Sequence, residues 1–277
     1  MPHFQVQLLL QTPLVTVRDV WCPGGSAHRE APETSSRTHL VYPYRGTYVR
    51  HVGDDASVAD AGHVLLFNAG ETYQVSHPYP GSDASLVLEV EPALLREIAA
   101  PTLLQEGAAL RFRTSRLGLA PRAQVLVALL RHALREGTAE ALEGESLALV
   151  LAHRTLGPRT AQVAGASSAK QRLVERAKVV LARDLARRWT LAEIAAEVGV
   201  SPVYLTQAFR QVEGVPLYRY QLNLRLARAL DRLAAREDLS ALAHDLGFSS
   251  HSHFAAAFQQ AYRRTPSEFR EHVLGRR

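Results

Sequence analysis

Gln207 and Arg210 stand three residues apart in the stretch SPVYLTQAFRQ, which is patterned as a short helix. A glutamine can bridge N6 and N7 of adenine, and an arginine O6 and N7 of guanine, each pairing being worth about 1–3 kcal/mol of base discrimination. Leu205 and Phe209 must face the interior of such a helix, which leaves Val203, Thr206, Gln207 and Arg210 for a groove or its walls. Arg210 lies a turn further along and is placed to reach a phosphate, and Tyr204 is expected to pack within the unit. A second group of chemistry-bearing residues lies in the first third of the chain: Trp21, Cys22, His28, His39, Tyr42, Tyr44, Tyr73 and His77. These polar and aromatic groups, on strands and loops, suit a small-molecule site in an apolar barrel. The other reading makes the aromatics core and the histidines satisfied surface groups. Cys22 is the one cysteine, which excludes an intrachain disulfide and a thiolate-rich metal cluster. With His28, His39 or His77 it forms a lesser alternative, a metal or oxidant sensor. No acid, base, nucleophile and metal set is visible, and neither a cofactor nor a metal is expected.

The elements that must position Gln207 and Arg210 are written twice. TLAEIAAEVGVSPVYLTQAFRQVEG places Ile194, Ala195, Val198, Leu205 and Phe209 at the apolar positions of two short helices joined through Gly199. In DLSALAHDLGFSSHSHFAAAFQQAY the matching residues are Leu242, Ala243, Leu246, Phe254 and Phe258, with Gly247 at the turn. Two such units on one chain suggest two reading heads for DNA. Thr190 with Glu193 forms a capping box, Ser201 caps the next helix, and Pro202 at its first position needs no backbone donor. An amphipathic helix over 171–188 precedes the first unit, and VPLYRYQLNLRLARALDRLAA forms one connecting helix between the two. With Phe254 and Phe258 inward, the second reading helix offers Ser250, His251, Ser252, Ala255 and Ala256, with no arginine or glutamine before Gln259. The first head is therefore expected to supply most base readout, and the second to anchor backbone and shape. His251 and His253 are read as surface and core histidines without a ligand role.

Charge follows the same division. From Ser168 onward there are 18 Lys/Arg against 11 Asp/Glu, a net of +7, whereas the preceding 167 residues carry 14 against 16. A basic final third is the footprint of nucleic-acid binding confined to one domain. With 277 residues, 47% of them hydrophobic, the chain can bury about two modest cores. No apolar run approaches the roughly 20 residues of a membrane span, and no leader pattern is present, so a cytoplasmic protein without membrane contact is expected. Short strands separated by Gly, Pro, Asp and Asn run to about residue 91. Helical periodicity over 92–156 then includes a pair, AQVLVALLRHAL and ESLALVLAHRTL, expected to cover a barrel. The small-residue segment 157–169 reads as a linker.

The LAEIAAEVGVSPVYLTQAF run, the LRLARAL helix and the DLGFSS…F…AF…TPSEFR ending resemble the DNA-binding domain of the AraC/XylS family of bacterial transcription regulators. That resemblance implies seven helices, with the second helix of each motif entering successive major grooves about 34 Å apart. Where the family commonly has glycine two residues before the Thr-Pro pair, this chain has Arg263; a left-handed conformation there would cost about 1 kcal/mol. The stretch from His39 to Val90, with Gly46, Gly62 and FNAGETY at its turns, resembles the cupin-like effector domains found ahead of such units. His28-Arg29-Glu30 replaces a cupin His-x-His pair, and Tyr73 stands where a later histidine would fall, which argues against a metal-dependent enzyme. The expected fold is α+β in two domains: a cupin-like β-barrel with a helical pair over 1–156, and an all-α double helix-turn-helix domain over 170–277 after the linker. The expected partners are promoter DNA, a second copy of the chain, RNA polymerase and a small-molecule effector. The alternatives are a constitutive regulator whose barrel only dimerises, and a cupin-type enzyme.

Overall fold

The computed structural model describes residues 4–105, 107, 110–157, 167–235 and 238–274, and the chain divides into two compact units, Met1–Thr160 and Ala161–Arg277. Of the linker segment, residues 158–166 lie outside the described residues.

The N-terminal unit is built on two antiparallel sheets. Its strands are β1 (Gln5–Gln11), β2 (Val15–Cys22), β3 (Glu33–Thr34), β4 (His39–Arg45), β5 (Tyr48–Val52), β6 (Asp55–Ala59), β7 (His63–Phe67), β8 (Thr72–Ser76), β9 (Asp83–Val90), β10 (Leu104–Gln105), β11 (Arg111–Phe112) and β12 (Arg116–Gly118). The larger sheet runs β1-β2-β9-β4-β7-β12, the smaller β3-β8-β5-β6, and β10 and β11 form a separate short pair. Helices α1 (Pro92–Ile98), α2 (Pro121–Arg135) and α3 (Ala141–Leu156) complete the unit. The larger sheet is covered on both faces. Leu40, Tyr42, Val64, Leu66, Leu86 and Leu88 join Val127, Leu130, Leu151 and Leu156 of the helical pair in one core. The alternate residues Val41, Leu65 and Phe67 pack with Tyr48, Ala59, Tyr73 and Val75 in a second. Successive strand residues point to opposite faces, so HVLLF of β7 is buried throughout, and VLLF is apolar because each of its faces has its own core. Strands β6 (DASVA) and β8 (TYQVS) are short and mix polar with apolar residues, and both pair with β5.

The C-terminal unit contains α4 (Ser168–Arg183), α5 (Leu191–Glu197), α6 (Pro202–Glu213), α7 (Leu217–Arg232), α8 (Leu239–Asp245), α9 (His251–Tyr262) and α10 (Pro266–Val273). Local chemistry sets most of the ends. Thr190 and Glu193 form the capping box of α5, the Ser201 hydroxyl accepts from the Tyr204 amide at the start of α6, and Gly199 turns between them at φ +73°. Asp238 caps α8, Ser250 caps α9, and Thr265 with Glu268 makes a second capping box at α10. Arg263 closes α9 at φ 61°, the one non-glycine residue with positive φ among those described. Helix α4 corrects the expected span of 171–188. It begins at Ser168 and stops at Arg183, because the Asp184 carboxylate accepts from the amides of Ala186 and Arg187, both at 3.1 Å, and folds the chain into a turn.

Candidate nucleic-acid interface

Helix α6 is fastened from behind. Lys178 of α4, with its side chain wholly buried, places Nζ 2.6 Å from Glu213 Oε1 at the end of α6 and 3.2 Å from Glu175 Oε1. Lys170 Nζ donates to Gln211 Oε1 at 2.7 Å, and the Phe209 ring meets Tyr220 of α7 edge-on at 5.2 Å. With Leu205, Ala208 and Phe209 buried, the opposite face carries Val203, Thr206, Gln207 and Arg210, all exposed. The Thr206 hydroxyl donates to the Pro202 carbonyl at 2.9 Å, so its methyl is the group left facing outward. Tyr204, expected to pack, is instead 42% exposed beside Val203 at 67%. Its position, the third of the helix, places it beyond the reach of the α4 and α7 cores. A tyrosine there adds an apolar ring and a hydroxyl to the outward face.

Helix α9 presents a plainer face. His251 and Ser252 are exposed at its first turn, Ala255 is half-buried, and the Ser250 hydroxyl accepts from the His253 amide as the cap. His253, read as a core histidine, is instead exposed: its Nδ1 is 3.0 Å from Ser249 Oγ and only one side of its ring is covered, edge-on to Phe248 at 5.4 Å. Behind this face Phe254, Phe258, Tyr262 and Phe269 interlock, with Phe258 to Phe269 at 5.9 Å, and so fasten α9 to α10.

One residue missed in the sequence joins the two heads. Arg225 of α7 donates to the carbonyls of Leu185 at 2.8 Å, Ala186 at 3.1 Å, Arg187 at 2.8 Å and Gly247 at 3.1 Å. It thus ties the turn ahead of the first head to the turn inside the second, and burial lowers its pKa from the ordinary guanidinium value. A β-carbon at Gly247 would run into the Ala186 carbonyl, so this close approach requires glycine there. An arginine among the apolar positions of LRLARAL was the available signal.

The eight residues read as an effector group do not converge on one cavity. Tyr42 lies on the helix side, its hydroxyl donating to Thr155 Oγ1 at 3.2 Å. Tyr44 donates to Asp19 Oδ1 at 2.6 Å, with the Arg131 guanidinium 4.0 Å from its ring centroid. His39 and Tyr73 flank Phe67 between the sheets, stacked at 4.8 Å and edge-on at 4.9 Å. Trp21 is half-buried on β2 and His28 is exposed on a loop. Cys22 and His77 do meet, beside Asp83. The space between the sheets also receives Arg50, a residue sequence reasoning passed over. It is 99% buried, paired with Glu71, bonded to the Leu66 carbonyl at 3.0 Å and set 3.8 Å from the Phe67 ring centroid. Burial pulls its guanidinium down to about 10. A half-open cavity of about 590 Å³ lies elsewhere, lined by Thr12, Arg37, Thr38, Glu89, Arg96 and Leu110 among others, and by none of the eight.

Residues 194–272 match the family profile of a helix-turn-helix domain. A candidate AraC-like transcription regulator of Streptomyces antibioticus is 32% identical over 105 residues, 37% of this chain and 34% of that one. The regulatory protein PocR of Salmonella typhimurium is 29% identical over 84 residues, 30% of this chain and 28% of that one. The chain therefore spans about a third of the length of these relatives. The crystal structure of unsaturated-fatty-acid-bound ToxT from Vibrio cholerae aligns over 94% of this chain and 96% of that one, at 13% identity and a TM-score of 0.36. The C-terminal unit is a double helix-turn-helix domain. Its sequence is similar to that of AraC-like transcription regulators.

Proposed function

We propose that the chain is a sequence-specific transcription regulator that binds promoter DNA through its C-terminal unit. The observation that carries this reading is the outward face of α6, where Val203, Gln207 and Arg210 are exposed on a helix locked from behind by Lys178 and Phe209. Gln207 and Arg210 read bases or a base and a phosphate, with Val203 and Thr206 filling apolar contacts. The second head, with Ser250, His251, Ser252 and Ala255 at its groove face, contacts mainly backbone and senses shape.

The N-terminal unit, residues 1–156, serves as the effector and dimerisation domain ahead of the linker 157–169 and the DNA-binding domain 170–277. A small molecule taken up there gates DNA binding, a second copy of the chain occupies the other half of the operator, and RNA polymerase is the downstream contact. The protein acts in the cytoplasm and is not an enzyme. No described helix is long and apolar enough to cross a membrane.

Fluorescence anisotropy with the full chain and DNA from upstream of its own gene tests this at two salt concentrations. Selective binding is expected, with affinity falling log-linearly as salt rises. Gln207→Ala with Arg210→Ala should lose about tenfold or more in selective affinity while retaining the salt-sensitive background. Equal binding by wild type and the double variant overturns the assignment.

A further inference from the structure

We propose that the N-terminal unit carries a binding site for a divalent transition-metal ion of the zinc type, with Cys22 Sγ, His77 Nε2 and Asp83 Oδ2 as ligands and Glu30 as the group that orients the histidine. Cys22 ends β2 and Asp83 opens β9, where the two are cross-strand partners, and His77 directly follows β8. Sγ and Nε2 are 3.8 Å apart, Nε2 and Oδ2 2.9 Å, and the three donor atoms lie within 4.8 Å of one another. All three residues are buried. Metal–ligand bonds of about 2.0–2.3 Å in tetrahedral geometry set donor atoms roughly 3.3–3.6 Å apart, so the Sγ–Nε2 and Nε2–Oδ2 separations need to change by only a few tenths of an ångström.

The histidine shows why a cation belongs there. Nδ1 lies 3.2 Å from Glu30 Oε1 while Nε2 lies 2.9 Å from Asp83 Oδ2. A neutral imidazole has one N–H for these two carboxylates, so the second nitrogen needs a proton or a metal. With the metal on Nε2, Nδ1–H remains on Glu30, the carboxylate–histidine–metal relay that fixes ring orientation. Binding to the protonated cluster releases the Nε2 proton and the Sγ proton as the metal–nitrogen and metal–sulfur bonds form.

The surrounding backbone is shaped to this cluster. The Ser26 amide donates to Glu30 Oε1 at 3.2 Å and the His77 amide to the Ser26 carbonyl at 2.7 Å, drawing the 23–30 loop over the site. A β-carbon at Gly25 would strike Glu30 and His77, one at Gly24 the Gly81 carbonyl, and one at Gly46 Asp83 itself. The glycines thus let the 23–30 loop pack against His77 and Glu30 and the turn at Gly46 pack against Asp83. The mixed thiolate, imidazole and carboxylate set selects zinc-like ions over magnesium or calcium, and three protein ligands leave a fourth position for water or a small anionic ligand. Cys22 is the one cysteine of the chain, so a redox role would lack a resolving thiol within it.

The full chain, stripped with a chelator and dialysed, is titrated with Co²⁺ and then Zn²⁺. The expected result is one Co²⁺ per chain with a thiolate-to-cobalt charge-transfer band, displaced by Zn²⁺. Cys22→Ser should abolish the band and weaken zinc binding at least tenfold. Glu30→Gln should keep the band and weaken binding roughly 10–100-fold. Circular dichroism and thermal melting establish that each variant is folded, and the wild-type spectrum reports thiolate ligation even where a variant fails to fold. No cobalt bound at one equivalent, cobalt bound without the band, or zinc held equally well by folded Cys22→Ser overturns the proposal. No DNA enters the experiment, so its outcome is independent of the regulatory reading.

Discussion

Replacing Lys178 with methionine should destabilise the C-terminal unit without touching its outward face. The lysine side chain is 0% exposed, and those of its two partners, Glu175 and Glu213, are 9% and 7% exposed. Methionine preserves most of the volume but removes the ammonium from two carboxylates that water barely reaches. Breaking a buried ion pair from one side costs about 3–5 kcal/mol, because the remaining charge keeps its desolvation penalty. Each kcal/mol moves the melting temperature of a domain near this size by about 4 °C or more, so a fall of roughly 12 °C or more is expected. Trp21 and Trp189 are the two tryptophans, one in each unit, so a Trp21→Phe background lets Trp189 fluorescence report the C-terminal unit alone. Lys178→Met with Glu175→Met and Glu213→Met should regain most of the loss, since an apolar replacement of a whole buried pair is often neutral. A single variant that melts within about 2 °C of wild type, or a triple variant weaker than the single, refutes the reasoning.

Three further outcomes follow from the turns and caps. Gly247→Ala should cost about 1–3 kcal/mol through backbone strain, more than Gly199→Ala, because Gly247 at φ +82° faces the Ala186 carbonyl and Gly199 at φ +73° faces open space; equal losses in denaturant titration would discount the close approach. Arg263→Gly relieves about 1 kcal/mol of left-handed cost and adds about 0.5 kcal/mol of unfolded-chain entropy, for a net rise of roughly 2–4 °C, and a lower melting temperature would contradict the αL reading of that residue. The Glu193 carboxyl is held down to about 2 from an ordinary 4.5 by the Thr190 amide, then the Thr190 hydroxyl and Arg187. A depressed folded pKa stabilises above the unfolded value and is lost as pH falls toward the folded one, so Glu193→Gln should flatten the decline of C-terminal stability between pH 4.5 and about 2, and an unchanged decline would refute this.

What could be read in advance was local chemistry. Thr190 with Glu193, Ser201 with Pro202, Gly199 and the departure at Arg263 act over four residues or fewer, and each is found at its expected place in the structure. The apolar repeat around Ile194, Leu205, Leu242 and Phe254 was legible for the same reason: helix periodicity alone puts them inward. The end of α4 was not legible, because Asp184 closes it together with Arg225, some forty positions later. Tyr204 was placed inside on residue type, whereas the packing of α4 and α7 decides that it lies outside. The N-terminal group scattered because strand register, not composition, assigns each side chain to a face. Tyr42 and Val41 are neighbours in sequence and lie in different cores, while Cys22 finds Asp83 across 61 positions through the β2–β9 ladder.

Hydroxyl-radical footprinting of the full chain on the DNA upstream of its own gene is the most direct test of the two-headed account. Two protected patches on one face of the duplex, centred about 10–10.5 base pairs apart, are expected for each bound chain. Gln207→Ala with Arg210→Ala should erase the patch of the first head before that of the second. A single patch per chain, or two patches that both survive the double variant, would contradict the assignment of α6 and α9 as paired reading helices.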